Sequence, residues 1–155
     1  MGSALSVWAG ISRRGKIYFY SGTLSADDYQ TVLEKSLLPA AQEMFDEEKT
    51  EWELQHDKAT CHMARSTKDW LEKNDVRVVD GWPTKGDDIN PIENVWAILD
   101  ERLQRRKFKT PAGMKRAIRE EWNNLEQSTI NKLMSIPGRL RKVIKAKGCS
   151  IKRIR

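Results

Sequence analysis

Every stretch with strand character in this 155-residue chain lies before residue 80, and from Asn90 onward the apolar residues recur only at helical spacing. That order restricts the fold to an α/β part followed by a purely helical layer. Ser6-Val-Trp-Ala-Gly-Ile-Ser12 reads as a buried strand, Arg13 to Lys16 as a hairpin turn, and Ile17-Tyr-Phe-Tyr20 as the aromatic-rich return strand. Ser25 followed by Asp28 forms a capping-box pattern. It opens a helix with Tyr29, Val32, Leu33, Leu37, Ala40 and Met44 inward and a kink expected at Pro39. Asp46 to Lys49 reads as an acidic surface loop.

Trp52, Leu54 and His56 alternate, which predicts a strand ending at Asp57. A helix carrying Met63, Thr67, Trp70 and Leu71 follows, then a short strand over Val76 to Val79 and a breaker-rich loop over Gly81 to Gly86. Asn90-Pro-Ile-Glu93 is a helix start, with Asn at the cap and Pro in the first turn. Its stripe is Ile92, Val95, Trp96, Leu99 and Leu103. Thr110-Pro111 opens the next helix, with Met114, Ala117, Ile118, Trp122 and Leu125 inward. A last helical stretch carries Ile130, Leu133, Met134, Leu140, Val143 and Ile144 and is expected to stop at Gly148. The expected division is 6–101 for the α/β part and 102–155 for the helical part.

Charge follows the same division. Residues 1–101 hold 11 Lys and Arg against 19 Asp and Glu; residues 102–155 hold 17 against 3, a balance of +14. So basic a tail points to a polyanion, nucleic acid above all, or else to a solvated helical surface. The residues expected at DNA are Arg105, Arg106, Lys107, Lys109, Arg139, Arg141, Lys142, Lys145 and Lys147. No apolar run approaches the ~20 residues a membrane span requires, so no membrane partner is expected. Met1 to Ser6 has neither the basic start nor the apolar core of a secretion signal. Cys61 and Cys149 read as free thiols, so nucleus or cytoplasm is expected.

Two carboxylates occupy positions from which chemistry is done. Asp57 sits where a strand meets a loop and Glu93 in the first turn of a helix, a pairing able to hold hard divalent cations. Each has a plainer reading: Glu93 as the third residue of a capping box, Asp57 as the start of an Asx turn. Cys61 and His62 lack the two further partners of a zinc site, and His62 reads as structural.

Longer strings go further. Gln55-His-Asp57-Lys-Ala-Thr-Cys-His62 resembles the "QDNAPCH" segment of Tc/mariner transposases. Trp82-Pro83 followed by Asp88-Ile-Asn-Pro-Ile-Glu93-Asn-Val-Trp96 is similar to that family's "WP…SPDLNPIENLW". Val7 to Ser12 resembles "VMVWGGIS", and Tyr29 to Pro39 resembles the helix after it. Ser135-Ile-Pro-Gly-Arg139 resembles "SMPRRL" and Val143-Ile-Lys-Ala-Lys-Gly148 resembles "VIKAKGG". The likeness runs over roughly residues 7–149.

The resemblance implies an α/β ribonuclease H-like mixed sheet flanked by helices, with a basic helical C-terminal layer. It also implies an Asp-Asp-Glu transferase that cuts and joins DNA with Mg²⁺ or Mn²⁺. By position Asp57 is its second catalytic, metal-binding carboxylate and Glu93 its third. The family's first aspartate lies on a central strand upstream of the Val7 strand, where only Met1 to Leu5 precede and none is acidic. The chain is therefore expected to be a catalytic-domain fragment, truncated at its start, inactive alone and weak in metal binding. The sheet would then have open edges. Either the Val7 strand pairs with the Trp52 strand, or a second copy or another chain donates one. Smaller departures are Lys58 and Thr60 in place of Asn and Pro, Gly86-Asp87 in place of Ser-Pro, and an extra Gly81. Gly81 leaves 35 residues between Asp57 and Glu93 where the family has about 34.

Overall fold

The structure, a computed structural model, describes residues 5–12, 16–46, 51–83 and 86–147. The turn at Arg13 to Gly15, Glu47 to Lys49 of the acidic loop, Thr84 and Lys85, the stop at Gly148 and the thiol of Cys149 lie outside the described residues. The two strands form where alternating, β-branched and aromatic residues predict them. They are β1 (Leu5–Gly10) and β2 (Lys16–Ser21), which pair in a two-stranded sheet. Contacts divide the chain into two compact units, Met1–Trp8 with Tyr18–Gly86 and Ala9–Ile17 with Asp87–Arg155.

In the first unit, α1 (Ala26–Val32) begins at the capping box the sequence spells out. Asp28 N–H donates to Ser25 Oγ at 3.1 Å and Ser25 N–H returns to the Asp28 carboxylate at 3.2 Å. The helix does not break at Pro39. It widens into a π-helical turn over Leu33–Leu37, runs through α2 (Leu38–Ala41), and widens again over Gln42–Asp46. Proline lacks an N–H and crowds the carbonyl four residues back, and the wider turn, with Leu38 N–H reaching Leu33 O, opens the ladder just before it.

The strands expected at Trp52–Asp57 and Val76–Val79 reduce to one parallel bridge between Leu54 and Val78. Leu54 N–H donates to Arg77 O at 2.8 Å and Val79 N–H to Leu54 O at 3.0 Å. The alternative in which the Val7 strand pairs with the Trp52 stretch is not what forms: among the described residues β1 pairs with β2. One expected helix becomes two, α3 (Thr60–Met63) and α4 (Arg65–Lys73), because Ala64 takes an extended ψ of 143°. The core of this unit is Tyr29, Leu33, Leu54, Leu71 and Val76, with Trp8, Trp52 and Trp70 packed against it. Each such side chain removed from water contributes about 1.5–3 kcal/mol before the entropy of ordering is set against it.

In the second unit, α5 (Pro91–Gln104) starts at Asn90, whose side chain accepts from Ile92 N–H at 3.3 Å. Thr110 caps α6 (Pro111–Asn123) by accepting from Gly113 N–H at 3.1 Å. Val95 and Leu99 of α5 form a core with Trp122 and with Leu133 of α7 (Gln127–Leu133). This packing groups α5 with the helices after it in the second unit.

The last helical stretch is also two helices, α7 and α8 (Ile136–Lys145). α7 closes at Met134, whose N–H donates to Ile130 O at 2.9 Å, and α8 starts after Ser135. Met114 of α6, expected inward, is exposed, as are Met134, Leu140 and Ile144 of the last stretch, Ile144 by 74%.

Candidate functional site

Asp57 lies three residues after the bridged Leu54, and α3 begins three residues after Asp57. Its Oδ1 accepts from Ala59 N–H at 3.0 Å, which is the Asx turn that short acidic side chains form at strand ends. The same oxygen lies 2.7 Å from His62 Nδ1, and that nitrogen is 3.2 Å from the Asp57 carbonyl. Two acceptors around one ring nitrogen require the proton on Nδ1, so His62 donates. The His62 side chain is 13% exposed and the Asp57 carboxylate 55%. A carboxylate is thus tethered through one oxygen while its face stays open to solvent.

Behind it lies an aromatic stack. His62 lies against the ring of the buried Tyr29, centroids 4.1 Å apart, and stacks on His56 at 4.8 Å and 8°. Tyr29 Oη is 2.9 Å from His56 Nδ1. Burial, and then the neighbouring His62, pushes His56 down to about 4, against an opposing pull from Asp57. His56 is therefore neutral at physiological pH, and its Nδ1 shares a hydrogen bond with the Tyr29 hydroxyl. Burial, Cys61 and Asp57 in turn raise the Tyr29 phenol, and burial raises the free Cys61 thiol. Neither is a ready nucleophile.

The sequence marks Asp57 and gives His62 a structural reading, but not the bond from His62 to Asp57 or the stacking of His56 on that ring. The available signal was their spacing, one residue before Asp57 and five after, around a turn that returns the chain on itself. The plainer reading of Asp57 is realised as an Asx turn, and the turn leaves the carboxylate accessible.

Glu93 lies half-buried in the first turn of α5, where its N–H donates to Asn90 O at 3.3 Å. Asn90 before it and the buried Asn94 and Val95 after it set its register. Oxygen donors of this kind suit Mg²⁺ or Mn²⁺. Among the described residues, however, no three His, Cys, Asp or Glu side chains converge as an ion site. Asp57 belongs to the first unit and Glu93 to the second, and each carboxylate is a hard oxygen donor of the kind such an ion takes.

The basic residues fall into three groups. Arg105 pairs with Glu101 at 3.0 Å; Arg106 pairs with Glu120 at 2.8 Å and Glu121 at 3.2 Å, and Arg102 with Glu121 at 3.5 Å. These arginines are bound to α5 and α6 carboxylates. Lys107 and Lys109, and on α8 Arg141, Lys142 and Lys145 with Lys147 beyond it, are exposed. Arg139 corrects the sequence reading: it is 4% exposed and donates to two backbone carbonyls, so it offers no surface to DNA.

Known proteins resemble this chain in sequence and in fold. The sequence profile of the DDE superfamily endonucleases matches residues 2–115. The Tc3 transposase of a Caenorhabditis elegans transposable element is 30% identical over 152 residues, covering 95% of this chain; the chain spans 45% of that relative's length. The Mos1 transposase catalytic domain, solved with Raltegravir and Mg, superposes with a TM-score of 0.80 at 22% identity, covering 96% of this chain and 76% of that one. The Mos1 mariner paired end complex with Mn superposes with a TM-score of 0.78 at 23% identity, covering 96% and 44%. The expected ribonuclease H-like α/β fold is the fold of these structures.

Proposed function

The chain belongs to the DDE superfamily endonucleases, and we propose that it forms part of a Tc/mariner-type transposase catalytic domain, whose reaction is metal-dependent cleavage and transfer of DNA strands. The observation that carries this reading is the Asp57 carboxylate, tethered through Oδ1 by His62 and Ala59 and open on its other side. Glu93, held at the start of α5, is the second acid the chain contributes. Among the described residues no three such side chains gather as an ion site, and this reading takes the chain alone to be inactive, because groups that act as one unit fail together.

DNA is the partner this reading requires, with the nucleus as the place of work. The exposed cations Lys107, Lys109, Arg141, Lys142, Lys145 and Lys147 support it, because each can neutralise a phosphate. A second reading, a DNA-binding or assembly module without catalysis, rests on those same cations. It also rests on the two-stranded sheet, whose edges could accept a strand from another copy. The purified chain, mixed with a labelled duplex and Mg²⁺ or Mn²⁺, should bind with steep salt dependence and leave the strands intact. Nicking abolished by Asp57→Ala would overturn the inactivity. Affinity indifferent to salt would overturn DNA as the partner.

A further inference from the structure

We propose that Arg139 is a positioning residue for Glu93, tying the loop that launches α5 to the end of α7. The inference rests on the reading of Glu93 as a catalytic carboxylate. The Arg139 guanidinium makes two bonds in different directions. Its Nε donates to Leu133 O at 3.0 Å, a carbonyl left over at the end of α7, and its Nη1 donates to Asp88 O at 3.3 Å, 51 residues away in sequence. Asp88 sits in the turn just before the α5 cap, where Asn90 N–H donates to Asp87 O at 3.3 Å. From Asn90 the connection is direct, since its side chain holds Ile92 N–H and its carbonyl holds Glu93 N–H. Ile89, Pro91, Asn94 and Val95 are all buried around that turn. A shift of the Asp88 carbonyl therefore passes along a packed backbone to Glu93.

Stability alone does not account for this residue. Arg139 is 4% exposed and, among the described residues, its buried Nη2 has no hydrogen-bond partner. A buried guanidinium with a nitrogen unsatisfied carries a desolvation cost that a leucine or methionine of similar reach would not. What an apolar side chain cannot supply is two directional bonds that fix one turn against another. Catalytic carboxylates need placement to about 0.5 Å, which such bonds provide and apolar packing does not.

The test is amide hydrogen exchange on the purified chain, comparing Arg139→Met and Arg139→Lys with the unaltered protein. Amides of α5 from Ile92 to Val95 report on the clamp, and amides of α6 from Ala117 to Trp122 serve as reference. Arg139→Met should speed exchange at the start of α5 by about tenfold and leave α6 unchanged. Arg139→Lys should do the same, because one ammonium cannot reach both carbonyls. The salt slope of DNA binding should stay as it was in both. Equal acceleration in α5 and α6, unchanged α5 exchange, or full rescue by lysine overturns the proposal. So does a salt slope reduced by about 0.9 in Arg139→Met, which would make the residue a phosphate contact. Should Arg139→Met fail to fold, Arg139→Gln, which keeps one donor amide, carries the same comparison. Failure of the transposase reading shows instead as salt-indifferent DNA affinity of the unaltered chain, which the exchange measurement does not touch.

Discussion

His62 Nδ1 lies 2.7 Å from Asp57 Oδ1, and the imidazole that makes this bond is itself packed on the rings of Tyr29 and His56. The carboxylate is therefore held by a group that cannot swing away without disturbing a buried aromatic stack. Separating the bond from the stack is straightforward. His62→Phe keeps a flat ring and loses the donor, and should lower the unfolding free energy by about 1 kcal/mol. His62→Ala also opens a cavity against Tyr29 and should cost about 2–3 kcal/mol. Urea unfolding of the two variants measures the difference; equal losses would mean that the stack contributes nothing.

His56 makes stability depend on pH in a stated window. Its folded value of about 4 lies below the 6.5 of the free side chain, so the unfolded chain takes up the proton first as pH falls. The contribution is whole above pH 6.5, is lost progressively between 6.5 and 4, and is constant below that. At about 1.4 kcal/mol per unit the loss is at most about 3 kcal/mol. The carboxylates titrate in the lower part of this range too, so the readout is the difference between the unaltered chain and His56→Gln in urea unfolding. That difference should narrow as pH falls through the window. A constant difference would count against a neutral, buried His56.

DNA affinity should divide the basic residues as the ion pairs do. Lys142→Ala and Lys145→Ala should each reduce the slope of log affinity against log salt by about 0.9. Arg106→Ala should leave that slope in place, because its guanidinium is committed to Glu120 and Glu121. The Arg106 substitution should instead lower the melting temperature, by less at high salt than at low salt. Filter binding across a salt series and thermal melts decide the matter.

Asn90 holds the first turn of α5 through its bond to Ile92 N–H. Asn90→Ala should cost about 1 kcal/mol, whereas Asn90→Asp or Asn90→Ser should stay near the original stability. Urea midpoints read this directly, and a neutral alanine substitution would show that packing alone fixes the turn.

The caps at Ser25, Asn90 and Thr110, both members of the strand pair and the buried stripe of Val95, Leu99, Ala117, Ile118 and Trp122 were legible in the sequence. They are local signals: a cap reaches two or three residues, and an amphipathic stripe repeats every three or four. Asp57 and Glu93 were legible as candidates because they sit within such local patterns. The strand read over Trp52–Asp57 was not realised beyond Leu54, since alternation marks a face but a ladder needs a partner strand.

The tertiary structure decided the rest. Which carbonyls Arg139 satisfies, which carboxylates Arg102 and Arg106 meet, and that Tyr29, His56 and His62 form one stack all depend on residues brought together across as many as 51 positions of chain. A lysine and an arginine contribute the same +1 to a count of charge, and only the path of the backbone determines whether that charge faces water, a glutamate or a buried carbonyl. Short-range chemistry therefore set the elements of this protein, and long-range packing assigned its polar side chains their tasks.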